Sequence, residues 1–240
     1  MTEPTDFDGT FPDAARRAVY EAIARRRDVR TFRPDPVPDD VLARILIAAS
    51  QAPSVGYSQP WSFLVLRDEE LRGRIARHVE EERLAGADVF EGERRDAYLD
   101  LKLEGILDAP LNLLVTCDRE RFGTKVLGRN TILEADVFSV VCAVQNLMLA
   151  ARAEGVGVGW VTLLREEVLR ELVALPETVV PIAYLCVGYP ERFRERPKLE
   201  TTGWLPRLDL KTLVHEEHFG APLSGPLGDA LDRADTGPGE

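Results

Sequence analysis

The segment "VFSVVCAVQNLMLAARAEG", residues 137 to 155, constrains the fold more than any other stretch of this chain. It is apolar nearly all round, so as a helix it has almost no face to give to water and must be covered on most sides. Gly155 stands where a terminal glycine in left-handed conformation would end it. A bilayer is a poor place for it, because the apolar run from 137 to 151 is interrupted by Gln145 and Asn146 and is too short to span. The expectation is a helix buried in a globular core.

Four short apolar runs read as strands: "SFLVLRD", "APLNLLVTCD", "VGWVTLL" and "VPIAYLCVGYP". In the second, every position from Leu111 to Val115 except Asn112 is apolar, which suits a strand covered on both faces. From Pro12 to Arg27, Ala15, Val19, Ala22 and Ile23 recur at helical spacing. "RPDPVP" is too rich in proline to be helical and makes an extended connector. Asp39 or Asp40 then caps a helix with Val41, Leu42, Ile45, Leu46 and Ala49 as its inner stripe. The charged stretch from 69 to 105 reads as one or two exposed helices around a turn at Gly86, and 166 to 175 as a further charged helix. Helices alternating with few strands give an α/β or α+β class. The organisation expected is a flexible N-terminus over 1–11, one domain over 12–220 and a disordered tail over 221–240, where proline, glycine and acids dominate.

A net charge of −11 argues against nucleic acid or an anionic membrane as partner, since both need an extended positive surface. The N-terminus has no apolar stretch of the secretory kind, so a cytoplasmic location is expected. Cys117, Cys142 and Cys186 each lie inside an apolar run and read as buried free thiols. Neither they nor the three histidines have metal-site spacing, and no metal is expected.

Against that acidity, "RRRDVRTF" places four arginines and one aspartate in the six positions from 25 to 30. Arg26, Arg27 and Arg30, at one helix end, can converge on an anion in fork geometry; the alternative, and the commoner role of such a run, is a solvated face complementing the helix dipole. Asp28 reads from these residues as an ion-pair partner of a neighbouring arginine. In "PSVGYSQPW", Ser54, Ser58 and Gln59 offer polar contacts and Tyr57 and Trp61 flat surface, suiting a polar ring system. The alternative is a plain helix-to-strand connection with Trp61 in the core. "GVGVGWVT" has G-x-G-x-G spacing and leads into a strand, which is not a dinucleotide fingerprint; its glycines mean that another backbone or a ligand comes close. "GYPERFRERPKLETTGWLPRLDL" brings Arg192, Arg194, Arg196, Lys198 and Arg207 in a proline-broken segment, either an arm over a partner chain or a surface loop.

These four stretches, in this order and over roughly residues 16 to 207, resemble the flavin-binding nitroreductase superfamily and, within it, the BluB-type dimethylbenzimidazole synthases. The resemblance implies an α+β fold with a central, mostly antiparallel sheet flanked by helices, and an obligate homodimer holding FMN at two sites across the subunit interface. It implies that Arg26, Arg27 and Arg30 grip the FMN phosphate and ribityl end. Pro53, Ser54, Ser58 and Gln59 would come from the partner chain, and Gly159, Trp160 and Val161 would lie along the flavin ring. Arg207 would reach the cofactor from the C-terminal segment. The implied reaction converts reduced FMN and O₂ to 5,6-dimethylbenzimidazole, the lower ligand of vitamin B12. Asp28 would handle protons near the ribityl chain, and Thr162 would stand where these enzymes usually have a functional serine. Electrons would come from a separate NAD(P)H-dependent flavin reductase. The alternatives are an NAD(P)H-dependent FMN nitroreductase or quinone reductase, and a non-catalytic flavin carrier.

Overall fold

The computed structural model describes residues 9 to 235. Residues 1–8 of the expected flexible N-terminus and 236–240 of the expected tail lie outside the described residues. The chain divides into two compact units, residues 1–195 and 196–240.

The first unit carries α1 (Asp13–Arg25), α2 (Asp39–Ser50), β1 (Trp61–Leu66), α3 (Glu69–Ala87), α4 (Gly92–Leu99), β2 (Leu111–Asp118), α5 (Ala135–Ala153), β3 (Gly157–Val161), α6 (Glu166–Leu172) and β4 (Val179–Gly188). The strands form one sheet in the order β1-β2-β4-β3, with every neighbouring pair antiparallel. The class is α+β, as the resemblance implied.

β2 sits at the sheet's centre and is buried from Leu111 through Cys117. Its alternation explains this: Leu111, Leu113, Val115 and Cys117 enter one core, with α2 and α5, while Leu114 enters the other. That second core holds Ile75 and Val79 of α3 and Leu169 of α6. Asn112 donates its amide to the Ile106 carbonyl at 3.0 Å, while its Oδ1 is buried without a partner, so only part of the cost of burying it is offset.

α5 is the one helix among the described residues long and apolar enough to cross a membrane. Its inner face, with Val140, Ala143, Val144, Leu147 and Ala151, is buried against α2 and the sheet, the placement of a core helix. The outer face is also apolar: Phe138 is 55% exposed and Val141 39%. The helix ends in a Schellman turn. Gly155, at φ 73°, donates to Arg152 O, and Val156 N returns to Ala151 O at 2.8 Å, a closure that needs the left-handed conformation glycine adopts freely.

Several expectations change. Pro38, not Asp39 or Asp40, is the N-cap of α2; both aspartates lie in its first turn without capping it, where they still complement the helix dipole. The 69–105 stretch forms two helices broken at 88–91, and α3 is not an exposed helix: it buries Ile75 and Val79, and His78 Nε2 accepts from Arg165 N at 3.1 Å. Cys117 and Cys186 are buried free thiols, but Cys142 is exposed on the outer face of α5.

The second unit holds α7 (Lys198–Thr201), a 3-10 turn over Leu210–Leu213 and α8 (Gly225–Asp235). The boundary between the two units, 195/196, lies within the 12–220 span. Residues 225–235 are helical where a disordered tail was expected. Lys211 pairs with Asp232 at 2.7 Å, and Ser224 donates to Glu216 at 2.9 Å; local pairing of this kind is invisible in a composition dominated by proline and glycine.

Candidate functional site

α1 stops at Arg25 because Arg26 turns to extended backbone, φ −62° and ψ 135°. The chain then runs beside the free edge of β3. Val29 N donates to Val158 O at 3.0 Å, and Asp28 makes a parallel bridge to Val158. Gly159 permits this approach: a Cβ there would stand 2.0 Å from Val29 O. At Gly159 the visitor that needs the missing side chain is the chain's own backbone.

The docking brings a carboxylate and a guanidinium together. Asp28 Oδ1 accepts the Trp160 amide at 2.9 Å, and Asp28 Oδ2 meets Arg30 Nη2 at 2.6 Å. Arg30 Nη2 also donates to Trp160 O, closing a ring of contacts. Arg30 Nη1 is buried with no hydrogen-bond partner. Although 43% of the Asp28 side chain is open to solvent, its carboxyl is crowded by protein atoms, and that desolvation raises its pKa. Arg30, the Trp160 amide and Arg26 pull the other way without cancelling it. The result is a carboxylate held in place and made more basic than usual.

Arg26 acts on Asp28 through its charge. The guanidinium of Arg27 points elsewhere than sequence proximity suggested: it bonds the carbonyls of Ala24 and Arg26 at 2.6 Å and also that of Glu195. Val161 is buried and Thr162 exposed just beyond the end of β3. Trp160, Val161 and Thr162 line a cleft of about 170 Å³ with Leu114, Leu164 and Tyr184.

Pro53, Ser54, Ser58 and Gln59 form a second group, in the loop before β1. Ser54 Oγ accepts from Gln59 N at 3.0 Å, and Ser58 Oγ is buried without a partner. Trp61 is buried in the core beneath, so the loop is both a connection and a polar surface. Arg121 holds it: Nη1 donates to Gln59 O at 2.6 Å and Trp61 O at 2.8 Å, and Nη2 to Ser62 Oγ at 3.0 Å. No sequence signal marked Arg121, which lies in the charged run "DRER" beyond β2.

The two groups stand at diagonally opposite corners of the sheet. Trp61 pairs with Cys117, which pairs with Val180, whereas Val158 pairs with Val187 at the far end of β4. Three strand spacings across and the run from Val180 to Val187 along β4 separate them by about 25 Å. Arg207 is exposed in the second unit. Among the described residues no three His, Cys, Asp or Glu side chains gather as a metal site.

The sequence model of the Nitroreductase family matches residues 23–189, a span containing both groups. The chain belongs to the nitroreductase family. Among curated nitroreductase-family relatives it is 43% identical over 201 residues to the 5,6-dimethylbenzimidazole synthase of Rhodospirillum rubrum, covering 84% of this chain and 93% of that one. It is 36% identical over 198 residues to the synthase of Rhodobacter capsulatus, covering 82% and 96%. Among solved structures, iodotyrosine deiodinase bound to FMN and 3-iodo-L-tyrosine superposes with a TM-score of 0.62 at 27% identity, covering 73% of this chain and 91% of that one.

Proposed function

We infer that this chain converts reduced FMN and O₂ to 5,6-dimethylbenzimidazole, as a cytoplasmic homodimer with two flavin sites. The observation that carries the reading is the Asp28–Arg30–Trp160 arrangement at the edge of β3, in a chain 43% identical to a curated synthase of this kind. A carboxylate among arginines that served only to bind an anion would weaken them; one raised in basicity and fixed by two contacts is suited to accept a proton.

The residues present fit a flavin phosphate. Arg26 and Arg30 give a local positive field in an acidic protein, and Arg30 Nη1 and Ser58 Oγ are buried polar atoms that a bound polar molecule would satisfy after small rotations. Reduced flavin supplies the electrons and the ring carbons that this reaction needs. Asp28 would take protons at its carboxylate oxygens, with the Trp160 amide and Arg30 fixing that carboxylate. Trp160 and Val161 would lie along the ring, while Gly159 makes room for the Val29 carbonyl behind them. Thr162 offers a hydroxyl where the resemblance leads one to expect serine, with χ1 narrowed by its methyl group.

The separation of the two residue groups favours a second copy. One chain cannot bring Ser58 to Arg30 across about 25 Å. The apolar outer face of α5, at Phe138 and Val141, is a surface that such a partner would cover. Electrons then come from a separate NAD(P)H-dependent flavin reductase.

The test is to incubate the protein with reduced FMN without oxygen, admit air and assay 5,6-dimethylbenzimidazole. Product that is lost in Asp28→Asn supports the reading. NAD(P)H oxidation with the flavin left intact would replace it with a nitroreductase activity, as in the 31% identical NAD(P)H nitroreductase-type relative from Methanothermobacter thermautotrophicus.

A further inference from the structure

The 53–60 loop is backbone under strain. Tyr57 and Gln59 are not glycines, yet they sit at φ 57° and 45°, beside Gly56 at 52°. Side chains rarely accept that region, and residues held there need surroundings that over-determine them. Three supports do so. Val55 N donates to Ser139 Oγ at 3.0 Å. Gly56 lies so close to the 126–127 segment that a Cβ would meet Val126 Cγ1 at 2.6 Å and Leu127 N at 2.9 Å. Arg121 Nη1 reaches the carbonyls of Gln59 and Trp61 together.

The third support fixes the conformation itself. Gln59 N is held by Ser54 Oγ at 3.0 Å, so relief of strain by turning about the Gln59 N–Cα bond would swing the Gln59 carbonyl away from Nη1. A charged donor shared by two carbonyls opposes that rotation directly.

Arg121 is itself held. Arg129 donates through Nη1 and Nη2 to Arg121 O at 3.2 Å and also bonds Gly123 O. The same guanidinium forms a two-point pair with Asp136 at 2.7 and 2.8 Å, with side chains only 9% and 1% exposed. Asp136 and Ser139 are one turn apart at the start of α5. Both ends of the loop are therefore tied, by separate routes, to that helix.

We propose that Arg121 is a positioning residue that locks the strained 53–60 loop in the form it presents to flavin held by the partner subunit, with the buried Arg129–Asp136 pair as its foundation. The proposal rests on the two-chain reading of the site. It predicts a defect that acts in trans: a chain lacking Arg121 keeps its own Asp28 half intact and damages only its partner's site.

The experiment uses the full chain. Arg121→Met should keep the dimer's mass and thermal midpoint while binding FMN about tenfold more weakly by fluorescence quenching, the scale of one lost charged contact. Arg121→Lys should recover part of that loss, because an ammonium reaches one carbonyl. With FMN well below the wild-type Kd, mixed dimers of Arg121→Met with Asp28→Asn, purified with two tags, should make product at about half the wild-type rate, although the Arg121→Met parent makes about a tenth and the Asp28→Asn parent none. A Ser58→Ala, Gln59→Ala double variant mixed with Asp28→Asn is the reference pair. Restoration in the reference pair but not with Arg121→Met would overturn the role of Arg121 alone. No restoration in either would overturn the two-chain site and this inference with it. Wild-type flavin affinity in Arg121→Met would also overturn it.

Discussion

Replacing Gly159 by alanine tests whether the glycines of β3 make room for the chain itself or for a ligand. The new Cβ would stand 2.0 Å from Val29 O, about 1.3 Å inside an ordinary carbon–oxygen contact of roughly 3.3 Å. The obstacle is main chain, so no rotamer change relieves it, and the 27–30 segment must lift from the strand. Lifting it forfeits the Val29 N to Val158 O and Trp160 N to Asp28 bonds, about 1 kcal/mol each. It also exposes the Val29 side chain, now 6% accessible, at about 1.5 kcal/mol. The sum is about 3.5 kcal/mol, a drop of about 10 °C in Tm for a chain of this size. The assay is thermal unfolding of flavin-free protein, with Gly157→Ala beside it. There the obstacle is the Val29 side chain, its Cγ2 at 2.8 Å, and the loss should be smaller. If flavin-free Gly159→Ala melts with the wild type and loses only FMN affinity, the glycine serves the ring and the argument fails.

Asp28→Asn should bind FMN and form no product; normal product would remove the proton-handling role. Because burial raises the Asp28 pKa above its ordinary value of 3.8, the rate should fall as pH drops through that raised value, with the limb set by the fraction ionised. Stability has the opposite sign: a carboxyl whose pKa rises on folding contributes stability below its unfolded value and loses it as pH climbs through the folded one, which pH-dependent melting of wild type against Asp28→Asn would read. Thr162→Ser should keep or increase product formation, and a large loss would mean a site arranged around the threonine methyl. Phe138→Glu, on the outer face of α5, should yield monomers by sedimentation and lower FMN affinity at least tenfold; an intact dimer would move the contact to another face.

The sheet and the buried helix were legible because long apolar runs such as "LNLLVTC" and "VVCAVQNLMLAARA" leave few alternatives. The second apolar face of α5 was legible as well, since the helix was apolar nearly all round. What sequence did not carry was the aim of long side chains. Arg27 and Arg30 are three positions apart, yet one guanidinium goes to carbonyls and the other to Asp28. Arg121 meets Gln59 across 62 positions, a contact that no local pattern records. The helix at 225–235 was missed for a related reason: Lys211, outside that segment, pairs with its Asp232, and Glu216 holds Ser224 just before it.

The Schellman turn at Gly155 has a consequence for β3. Only Glu154, Val156 and this glycine intervene between the helix and the strand, and Glu154 is itself gripped by Arg44 of α2 at 2.8 and 2.9 Å. The joint has no slack. A slip of one residue would turn each side chain of β3 to the opposite side and set valine or tryptophan where the Val29 carbonyl now enters. An inserted residue at this corner would therefore unseat the carboxylate of Asp28 without touching it.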